Sequence, residues 1–294
     1  MSLPHGFDPR LTPARADLAA ASLQGLVAAP RYVPGELREV ADAVAPLRRR
    51  PAGDAPLDTE ALYGECVTVY ADDGEGWAFV QLAADGYVGY LPSDALRPLA
   101  TPPGHKVAVP RTFLFPGPDL KLPPRGALCF GSAVVAREEK GAFTATRDGF
   151  IYTRHLAPIA AREADVVAVA ARFLGVPYLW GGRSALGLDC SGLVQTALAA
   201  CGIAAPRDSD MQEQALGESL PLDAPLARGD LLFWPGHVAL VEAPDTLLHA
   251  NAFHMQVARE PLAPALARIA ASGAPLRSIR RLDTTKDTAW TNET

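Results

Sequence analysis

The chain has 294 residues, of which 49% are hydrophobic and 20% are charged, a composition typical of a soluble globular protein with two or three domains. Its formal net charge of −6 argues against nucleic acid and against an anionic membrane surface as partners. No apolar run reaches the length of a membrane span, so a transmembrane protein is not expected.

The cysteine pattern and the N-terminal residues bear on the cellular compartment. Cys66, Cys129, Cys190 and Cys201 lack the close-paired spacing of zinc modules, and three of the four are expected to pack in the core. The N-terminal residues do not show the basic start and apolar core of a secretory signal. The sequence therefore predicts a reducing, cytoplasmic location, with export by an unrecognised route left open.

Residues 1–55 are rich in Ala, Pro and Arg and are predicted to form a helical or extended segment that wraps the rest of the protein. One short helix is expected from Glu36 to Val44, because Pro34-Gly35 and Pro46 bound it. This segment is not expected to form a domain of its own.

Residues 56–100 and 101–158 are each predicted to form a small all-β barrel. Short runs of apolar and aromatic residues in the first are separated by turn signals at Asp72-Asp73-Gly74 and Asp85-Gly86. The segment DGYVGYLPSDAL at 85–96 resembles DGFIYTRHL at 148–156, which indicates an internal repeat. The pattern favours two bacterial SH3-like barrels in tandem, modules that usually bind or target.

Residues 159–285 are predicted to form an α+β domain, followed by a tail over 286–294. Helices are expected before Gly175, after Cys190 and near Gln212. Strands are expected over residues 230–234, 237–242, 246–251 and 276–282.

The stretch VPYLWGGRSALGLDCSGLV at 176–194 places a Gly-rich loop directly before Cys190. An apolar helical pattern follows and Gly202 is its natural stop, so Cys190 is expected at a helix N-terminus. Unpaired backbone N–H groups and the helix dipole favour a thiolate there, and a lowered thiol pKa suits a nucleophile. The alternative, a buried core cysteine, is disfavoured by the neighbouring glycines and by Asp189. Cys190 is therefore a candidate nucleophile.

A cysteine nucleophile needs a base, and the base needs a partner that orients it. His237 opens an apolar strand and His249 lies on the next one. A hairpin loop over 241–245 would place His249 directly opposite His237, with Cβ atoms about 5 Å apart. A loop shifted by one residue would put the two on opposite faces, so this geometry is conditional. Asn251 is the alternative orienting group.

A zinc site formed by Cys190, His237 and His249 is a chemically possible alternative, although these residues lack the short paired spacing of zinc modules. The sequence predicts no metal and no other cofactor. The other four histidines are expected to be structural: His5, His105, His155 and His254.

The chain resembles the NlpC-type cysteine peptidases of bacterial cell-wall turnover. The resemblance covers about residues 160–285 and rests on segments that occur in the family's order: FLGVPYLWGGRSALGLDCSGLVQTAL, PRDSDMQ, GDLLFW, HVALVE and LLHAN. It implies a papain-like α+β peptidase domain after the two SH3-like barrels. Within this family, the chain resembles the subgroup of γ-D-glutamyl-L-diamino acid endopeptidases of murein peptide recycling. Three features indicate this subgroup: the SH3-like repeats, the absence of a signal and the segment LYGE at 62–65.

This resemblance implies that Cys190 is the nucleophile, His237 the base and His249 the third, orienting residue. It places Tyr178 near the oxyanion, where its hydroxyl would help to hold the developing charge. It also implies three groups of substrate-binding residues: Asp189, Glu65 and Tyr87 (or Tyr90) around the free amine of an N-terminal L-Ala; Ser191, Arg207 and Ser209 at the D-Glu site; and Trp180 at the site wall.

The implied reaction is hydrolysis of the γ-D-glutamyl–diamino acid bond in peptidoglycan stem peptides, L-Ala-γ-D-Glu-diamino acid, that carry a free N-terminal L-Ala. Two alternatives remain. The same Cys–His–His arrangement can serve an amidase or an acyltransferase, or the chain can be a non-catalytic protein that binds wall fragments. The preferred diamino acid, the accepted length of stem peptide and the oligomeric state stay open.

Overall fold

A computed structural model describes residues 3–99 and 101–282. The pattern of contacts divides the chain into two compact units, with the boundary between Ala160 and Ala161. The predicted tail over 286–294, and residues 283–285 of the predicted α+β domain, lie outside the described residues. Among the described helices, none is both long enough and apolar enough to cross a membrane.

The described part of the first unit is built from short strands and three single-turn 3₁₀ helices. The strands are β1 (Ala14–Arg15), β2 (Leu18–Ala20), β3 (Tyr32–Val33), β4 (Glu36–Val40), β5 (Val44–Arg48), β6 (Leu57–Leu62), β7 (Cys66–Asp72), β8 (Trp77–Leu82), β9 (Val88–Pro92), β10 (Leu96–Pro98), β11 (His105–Val107), β12 (Arg111–Leu114), β13 (Gly126–Cys129), β14 (Ala133–Val134), β15 (Glu139–Lys140), β16 (Phe143–Ala145), β17 (Phe150–Tyr152) and β18 (Leu156–Pro158). The 3₁₀ helices are Ala21–Leu23, Ser93–Ala95 and Thr153–His155.

Seven strands form the largest sheet of this unit, in the order β10-β4-β7-β8-β9-β5-β6. Apolar residues alternate with polar ones along β7, so that Val67 and Val69 are buried while Thr68 is not. They pack with Leu47, Val80 and other aliphatic side chains into one core cluster. Burial of these alternating apolar side chains is the main reason that the segment folds as a sheet.

The predicted helix from Glu36 to Val44 is wrong. Strand β4 occupies Glu36–Val40 and pairs with β7, for example Glu39 with Cys66. In β5, which contains Pro46, the buried residues Ala45 and Leu47 alternate with less buried ones, a two-residue period typical of a strand. Residues 36–48 therefore belong to the same sheet as residues 57–98.

The strand-rich pattern predicted over residues 101–158 is confirmed. Strands β11–β18 form small sheets in the orders β14-β11-β18, β12-β13 and β15-β16-β17. The sequence similarity between residues 85–96 and residues 148–156 has a counterpart in local structure. Strands β9 and β17 are each followed by a 3₁₀ turn and then by a three-residue strand, β10 or β18. The two segments thus share one sequence of local elements.

The second unit combines helices with a six-stranded sheet. Its helices are α1 (Val166–Ala171), α2 (Cys190–Ala200), α3 (Ser209–Ala215) and α4 (Leu262–Ala271). Its strands are β19 (Arg183–Ser184), β20 (Gly187–Leu188), β21 (Glu218–Leu220), β22 (Leu231–Trp234), β23 (His237–Ala243), β24 (Thr246–Asn251), β25 (Gln256–Pro261) and β26 (Ser278–Arg281). The sheet order is β21-β26-β22-β23-β24-β25, with antiparallel neighbours throughout.

The predicted elements of this unit are confirmed: the helix after Cys190 with Gly202 beyond its end, the helix near Gln212, and the four strands. The sequence did not predict β25 or α4. Helix α4 covers one sheet face, where Ala265 and Ile269 pack on Trp234 and Leu247 among others. Helix α2 contacts β23 and β24, which brings its N-terminal residue to the strand that begins at His237.

Candidate active site

Cys190 is the first residue of α2, as predicted. Asp189 is the N-cap: its backbone is extended (φ −92°, ψ 179°) and its carboxylate accepts a hydrogen bond from the Gly192 N–H at 2.7 Å. A Cβ added at Gly192 would overlap the carbonyl oxygen of Gly182. Glycine at position 192 therefore lets the Gly-rich loop pack directly against the first turn of α2.

The sulfur of Cys190 lies beside the start of β23. Its thiol donates to the carbonyl oxygen of Gly236, with 4.0 Å between Sγ and O, and the N–H of Val238 hydrogen bonds to the sulfur. These two residues flank His237 in the chain. The backbone contacts therefore fix the sulfur at the strand position that carries the candidate base.

The predicted lowering of the Cys190 pKa is wrong. Burial and, to a smaller extent, the nearby charge of Asp189 raise the pKa of the thiol to about 12. The N–H groups of Val238 and Ser191, together with the Arg207 charge, oppose this shift only in part. Cys190 is 6% exposed, so the loss of water around the sulfur outweighs the helix N-terminus. The resting sulfur is therefore a thiol.

A chain of hydrogen bonds runs from His237 into the interior. Nε2 of His237 lies 2.9 Å from Nδ1 of His249, and Nε2 of His249 lies 3.0 Å from Oε2 of Glu260. Arg268 on α4 binds both oxygens of this carboxylate, at 2.7 and 3.1 Å. His249, not Asn251, is thus the group that contacts the candidate base; Asn251 instead accepts hydrogen bonds from His254.

The histidines meet through a register different from the predicted one. Leu240 pairs with Leu248, and this register, continued, places His249 opposite Ala239 rather than opposite His237. The turn is tighter than predicted, since Ala243 pairs with Thr246, and a β-bulge follows between Val241 and Ala243. Without the bulge the turn would set the two histidines on opposite faces. The extra residue restores a common face, where the rings meet diagonally.

Both histidines are held neutral. Burial lowers the pKa of His237 to about 3, aided by repulsion from His249 and Arg268. Burial also lowers the pKa of His249 to about 4, although Glu260 acts in the opposite direction. A neutral imidazole can accept the proton of a thiol as the sulfur attacks.

Asp189 and Arg207 form a buried ion pair next to Cys190. The guanidinium binds both carboxylate oxygens, at 2.7 and 2.9 Å, and also contacts the Ser191 hydroxyl and the Gly182 carbonyl. Asp189 accepts further hydrogen bonds from Gly181, Gly192 and Ser191. Arg207 is 1% exposed, so the contact with a substrate carboxylate that the sequence implied would require it to leave Asp189. In this structure the pair organises the first turn of α2.

Comparison with known proteins follows the same division of the chain. Residues 175–267 match the NlpC/P60 family, and residues 47–96 match the bacterial dipeptidyl-peptidase SH3 domain. The γ-D-glutamyl-L-lysine dipeptidyl-peptidase of Bacillus subtilis (strain 168) is 31% identical over 222 residues, which cover 67% of this chain and 73% of that protein. The chain belongs to the NlpC/P60 family. It is a cysteine-type peptidase, a hydrolase, with an SH3 domain.

Two further proteins are similar to this NlpC/P60 peptidase. The γ-D-glutamyl-L-lysine dipeptidyl-peptidase of Bacillus cereus (strain ATCC 10987 / NRS 248) is 28% identical over 240 residues, covering 70% of this chain and 71% of that protein. A crystal structure of an NlpC/P60 family protein from Bacillus cereus ATCC 10987 superimposes with a TM-score of 0.71 at 22% identity, over 84% of this chain and 99% of that chain. At this identity the superposition shows the shared fold.

Tyr178, Trp180 and Ser209 lie in the peptidase unit. Tyr178 is half-buried; burial raises the pKa of its hydroxyl and the neighbouring Cys190 raises it further, so the hydroxyl stays protonated and can donate a hydrogen bond. Trp180 is 67% exposed on the loop that precedes Cys190. Ser209 is the half-buried first residue of α3, two residues after Arg207.

The residues predicted to bind the substrate amine from the first unit lie in the seven-stranded sheet or next to it. Glu65 is half-buried and its carboxylate accepts a hydrogen bond from the Leu62 N–H at 3.0 Å. Tyr87 is 3% exposed and packs in the core cluster, whereas Tyr90 is half-buried on β9 and stacks against Phe79. Their role toward substrate stays a prediction.

Two charged residues of this site were missed from the sequence. Glu260 and Arg268 lie on β25 and α4, neither of which the sequence pattern predicted. A buried glutamate on a strand is rare without a partner, but its burial is visible only once β25 is paired. Within residues 3–99 and 101–282, no cluster of three His, Cys, Asp or Glu side chains is arranged to hold a metal ion.

Proposed function

We propose that this cysteine peptidase cleaves the γ-D-glutamyl–diamino acid bond of peptidoglycan-derived peptides that carry a free N-terminal L-Ala. One observation carries the proposal: the Cys190 sulfur lies at the N-terminus of α2 between the backbone groups that flank His237, whose ring bonds to His249. The names of the two Bacillus relatives, γ-D-glutamyl-L-lysine dipeptidyl-peptidases, support the substrate class.

The proposed reaction begins from a neutral thiol and a neutral imidazole. As Sγ of Cys190 attacks the carbonyl carbon of the γ-amide, His237 takes the thiol proton at Nδ1, the ring nitrogen not bonded to His249. The protonated Tyr178 hydroxyl donates to the developing oxyanion. His237 then gives the proton to the leaving amine and the C–N bond breaks.

The thioester that remains is hydrolysed by water. His237 accepts a proton from the water, the carbon–sulfur bond breaks, and the proton returns to the sulfur. The products are L-Ala-D-Glu and the free diamino acid or diamino-acid peptide. The Cys190 thiol and the His237 imidazole are both neutral again after each turnover, so water is the only reactant needed besides the peptide.

The free amine of L-Ala is the feature that would confine the enzyme to turnover fragments. We assign its recognition to Glu65 and Asp189 with Tyr87 (or Tyr90), and Glu65 carries the larger part because Asp189 already accepts five hydrogen bonds, two of them from Arg207. Ser191 and Ser209, with the backbone that Arg207 fixes, would line the D-Glu site, and the exposed Trp180 its wall. An N-acetylmuramyl group on the substrate would remove the positive charge of the amine that the carboxylates of Glu65 and Asp189 bind.

The first unit is proposed to comprise two SH3-like barrels. The SH3 family match ends at residue 96, and the second barrel is supported by the order of strand, 3₁₀ turn and strand that β9–β10 and β17–β18 share.

The proposed role in murein peptide recycling implies a cytoplasmic enzyme. A reporter fusion that is active only in the cytoplasm would test the location. Activity of an exported reporter fused to the same chain would contradict it.

Mass spectrometry of products tests the substrate assignment. The full chain is incubated with L-Ala-γ-D-Glu-L-Lys, with its diaminopimelate counterpart, and with both peptides N-acetylated; Cys190→Ala is the inactive control. We expect L-Ala-D-Glu from the free peptides and roughly 10- to 100-fold slower cleavage of the acetylated ones, as for loss of one charged hydrogen bond. Equal cleavage of both forms, or release of a different bond, would favour the amidase or acyltransferase alternative.

Two matched variants test the amine pocket. Glu65→Gln should reduce the preference for free over acetylated peptide, whereas Glu75→Gln, an exposed glutamate of the same unit, should retain it. Thermal unfolding of both variants controls for the Leu62–Glu65 contact. An unchanged preference in folded Glu65→Gln would remove Glu65 from the site.

A further inference from the structure

The chain of contacts behind His249 contains a charge that a Cys–His–His mechanism does not include. Oε2 of Glu260 lies 3.0 Å from Nε2 of His249, and both residues are nearly inaccessible to water, at 6% and 1% exposure. A carboxylate buried this deeply is costly unless it is paired. Here Arg268 supplies the pairing charge, and its guanidinium stacks on the Phe253 ring at 4.2 Å.

The sheet register explains why these groups meet. Strand β25 pairs with β24 so that Glu260 lies opposite Leu247 and therefore on the same face as His249, one diagonal step away. Arg268 reaches this face from α4, which covers it. Three strands and one helix thus bring four side chains into one line: His237, His249, Glu260 and Arg268.

An ionised carboxylate can only accept hydrogen bonds, and this fixes every proton in the line. Burial alone would raise the pKa of Glu260, but the hydrogen bond and charge of Arg268, with His249, hold that pKa below its ordinary value. Nε2 of His249 must therefore carry the proton that it donates to Glu260. A neutral His249 then has a bare Nδ1, which accepts a hydrogen from Nε2 of His237. The remaining nitrogen of His237, Nδ1, is bare.

We infer that Glu260, clamped by Arg268, is a positioning residue that sets the tautomers of His249 and His237 and so leaves Nδ1 of His237 free to take the Cys190 proton. This inference rests on the proposed function for the reaction step, but the tautomers themselves are a property of the resting protein. Glu260 touches neither the substrate nor the sulfur in this mechanism and acts through His249.

The most informative variant is Glu260→Met, which removes the acceptor but leaves Arg268 in place. Oε2 of Glu260 binds both Nε2 of His249 and Arg268, at 3.0 and 2.7 Å, so a glutamine keeps both contacts and the wild-type tautomers with its single oxygen. Without the carboxylate, the remaining Arg268 cation favours a bare Nε2 on His249, which places a proton on Nδ1 of His249 and, in turn, on Nδ1 of His237. The base is then blocked although every residue of the Cys–His–His set is present.

We expect kcat of Glu260→Met to fall about 10²-fold while KM changes little. The effect should be smaller than the ~10⁴-fold loss seen when a group bonded directly to a catalytic histidine is replaced by its amide, since Glu260 acts one residue further away. Glu242→Met is the matched control: Glu242 lies on β23 of the same sheet and is bound by Arg259 through both oxygens, at 2.6 and 2.9 Å. Its kcat should stay within twofold of the wild type.

Long-range ¹H–¹⁵N spectra of ¹⁵N-histidine-labelled protein read the tautomers directly and need no substrate. In the wild type and in Glu242→Met, His249 and His237 should both carry the proton on Nε2; in Glu260→Met both should shift to Nδ1. Glu260→Gln, which keeps one oxygen facing His249, should retain the wild-type tautomers. If Glu260→Met does not fold, the wild-type spectrum decides by itself. Wild-type tautomers and wild-type kcat in folded Glu260→Met would overturn the inference, as would a wild-type His249 protonated on Nδ1. If the wild type fails to cleave the γ-glutamyl peptides, the proposed function falls while the spectra still decide the role of Glu260.

Discussion

Replacing Arg207 by methionine is the sharpest test of the site's architecture. The substitution keeps an unbranched side chain of similar length but removes the charge that pairs with Asp189. Arg207 is 1% exposed and makes four hydrogen bonds through its terminal nitrogens, two of them to the Asp189 carboxylate. The variant would leave that carboxylate buried without its cation.

The size of the effect follows from this burial. Breaking a buried ion pair by removing one partner costs about 3–5 kcal/mol, because the remaining charge is uncompensated. Three other donors still bind Asp189, from Gly181, Gly192 and Ser191, which places the expected loss near the lower end, about 3 kcal/mol. The double variant Asp189→Asn/Arg207→Met removes both charges and should recover part of this loss.

Equilibrium urea unfolding measures the free energies, and Arg172→Met is the matched control. Arg172 binds Glu163 through two hydrogen bonds, at 2.7 and 2.8 Å, but both side chains are about one-third exposed. That pair should contribute at most about 1 kcal/mol. Equal losses for Arg207→Met and Arg172→Met, or a double variant less stable than Arg207→Met, would refute the view that the Asp189–Arg207 pair is a buried, coupled element of the site.

Three further predictions concern protonation and packing. Folding lowers the pKa of His237 to about 3 and that of His249 to about 4, from the ordinary histidine value of about 6.5. The neutral histidines therefore stabilise the fold fully above pH 6.5, and about 1.4 kcal/mol of the free energy of unfolding per pH unit and per histidine should be lost as the pH falls below that value. Urea unfolding that is unchanged between pH 7 and 5 would contradict this. With a thiol pKa near 12, iodoacetamide labelling of Cys190, followed by peptide mapping, should rise about tenfold per pH unit up to pH 9, and a plateau near neutrality would instead reveal a resting thiolate. Gly192→Ala should lower stability by more than 1 kcal/mol and reduce kcat through a displaced α2, whereas Gly53→Ala, where a Cβ meets nothing within 4 Å, should be within about 0.5 kcal/mol of the wild type.

Local patterns in the sequence were sufficient to predict the elements that carry the catalytic candidates. The apolar spacing after Cys190 and the stop at Gly202 predict α2, and alternation in short apolar runs predicts β22, β23 and β24. These signals are local because the period of an amphipathic element follows from its own backbone geometry. The same reasoning failed for Glu36–Val40, where prolines at both sides suggested a helix and the pairing with β7 decided for a strand.

What the sequence by itself determined is the choice of Cys190, His237 and His249 as catalytic candidates and the elements on which they lie. Only the tertiary structure decided how they meet. The β-bulge between Val241 and Ala243 places the two histidines on one face, a result that depends on a single extra residue in a strand pairing. The protonation of the cysteine was likewise decided by tertiary burial, because loss of solvent around the sulfur opposes and exceeds the local effect of the helix N-terminus. The ion pair of Glu260 with Arg268 exists only because β25 and α4, separate in sequence, pack on the same sheet face.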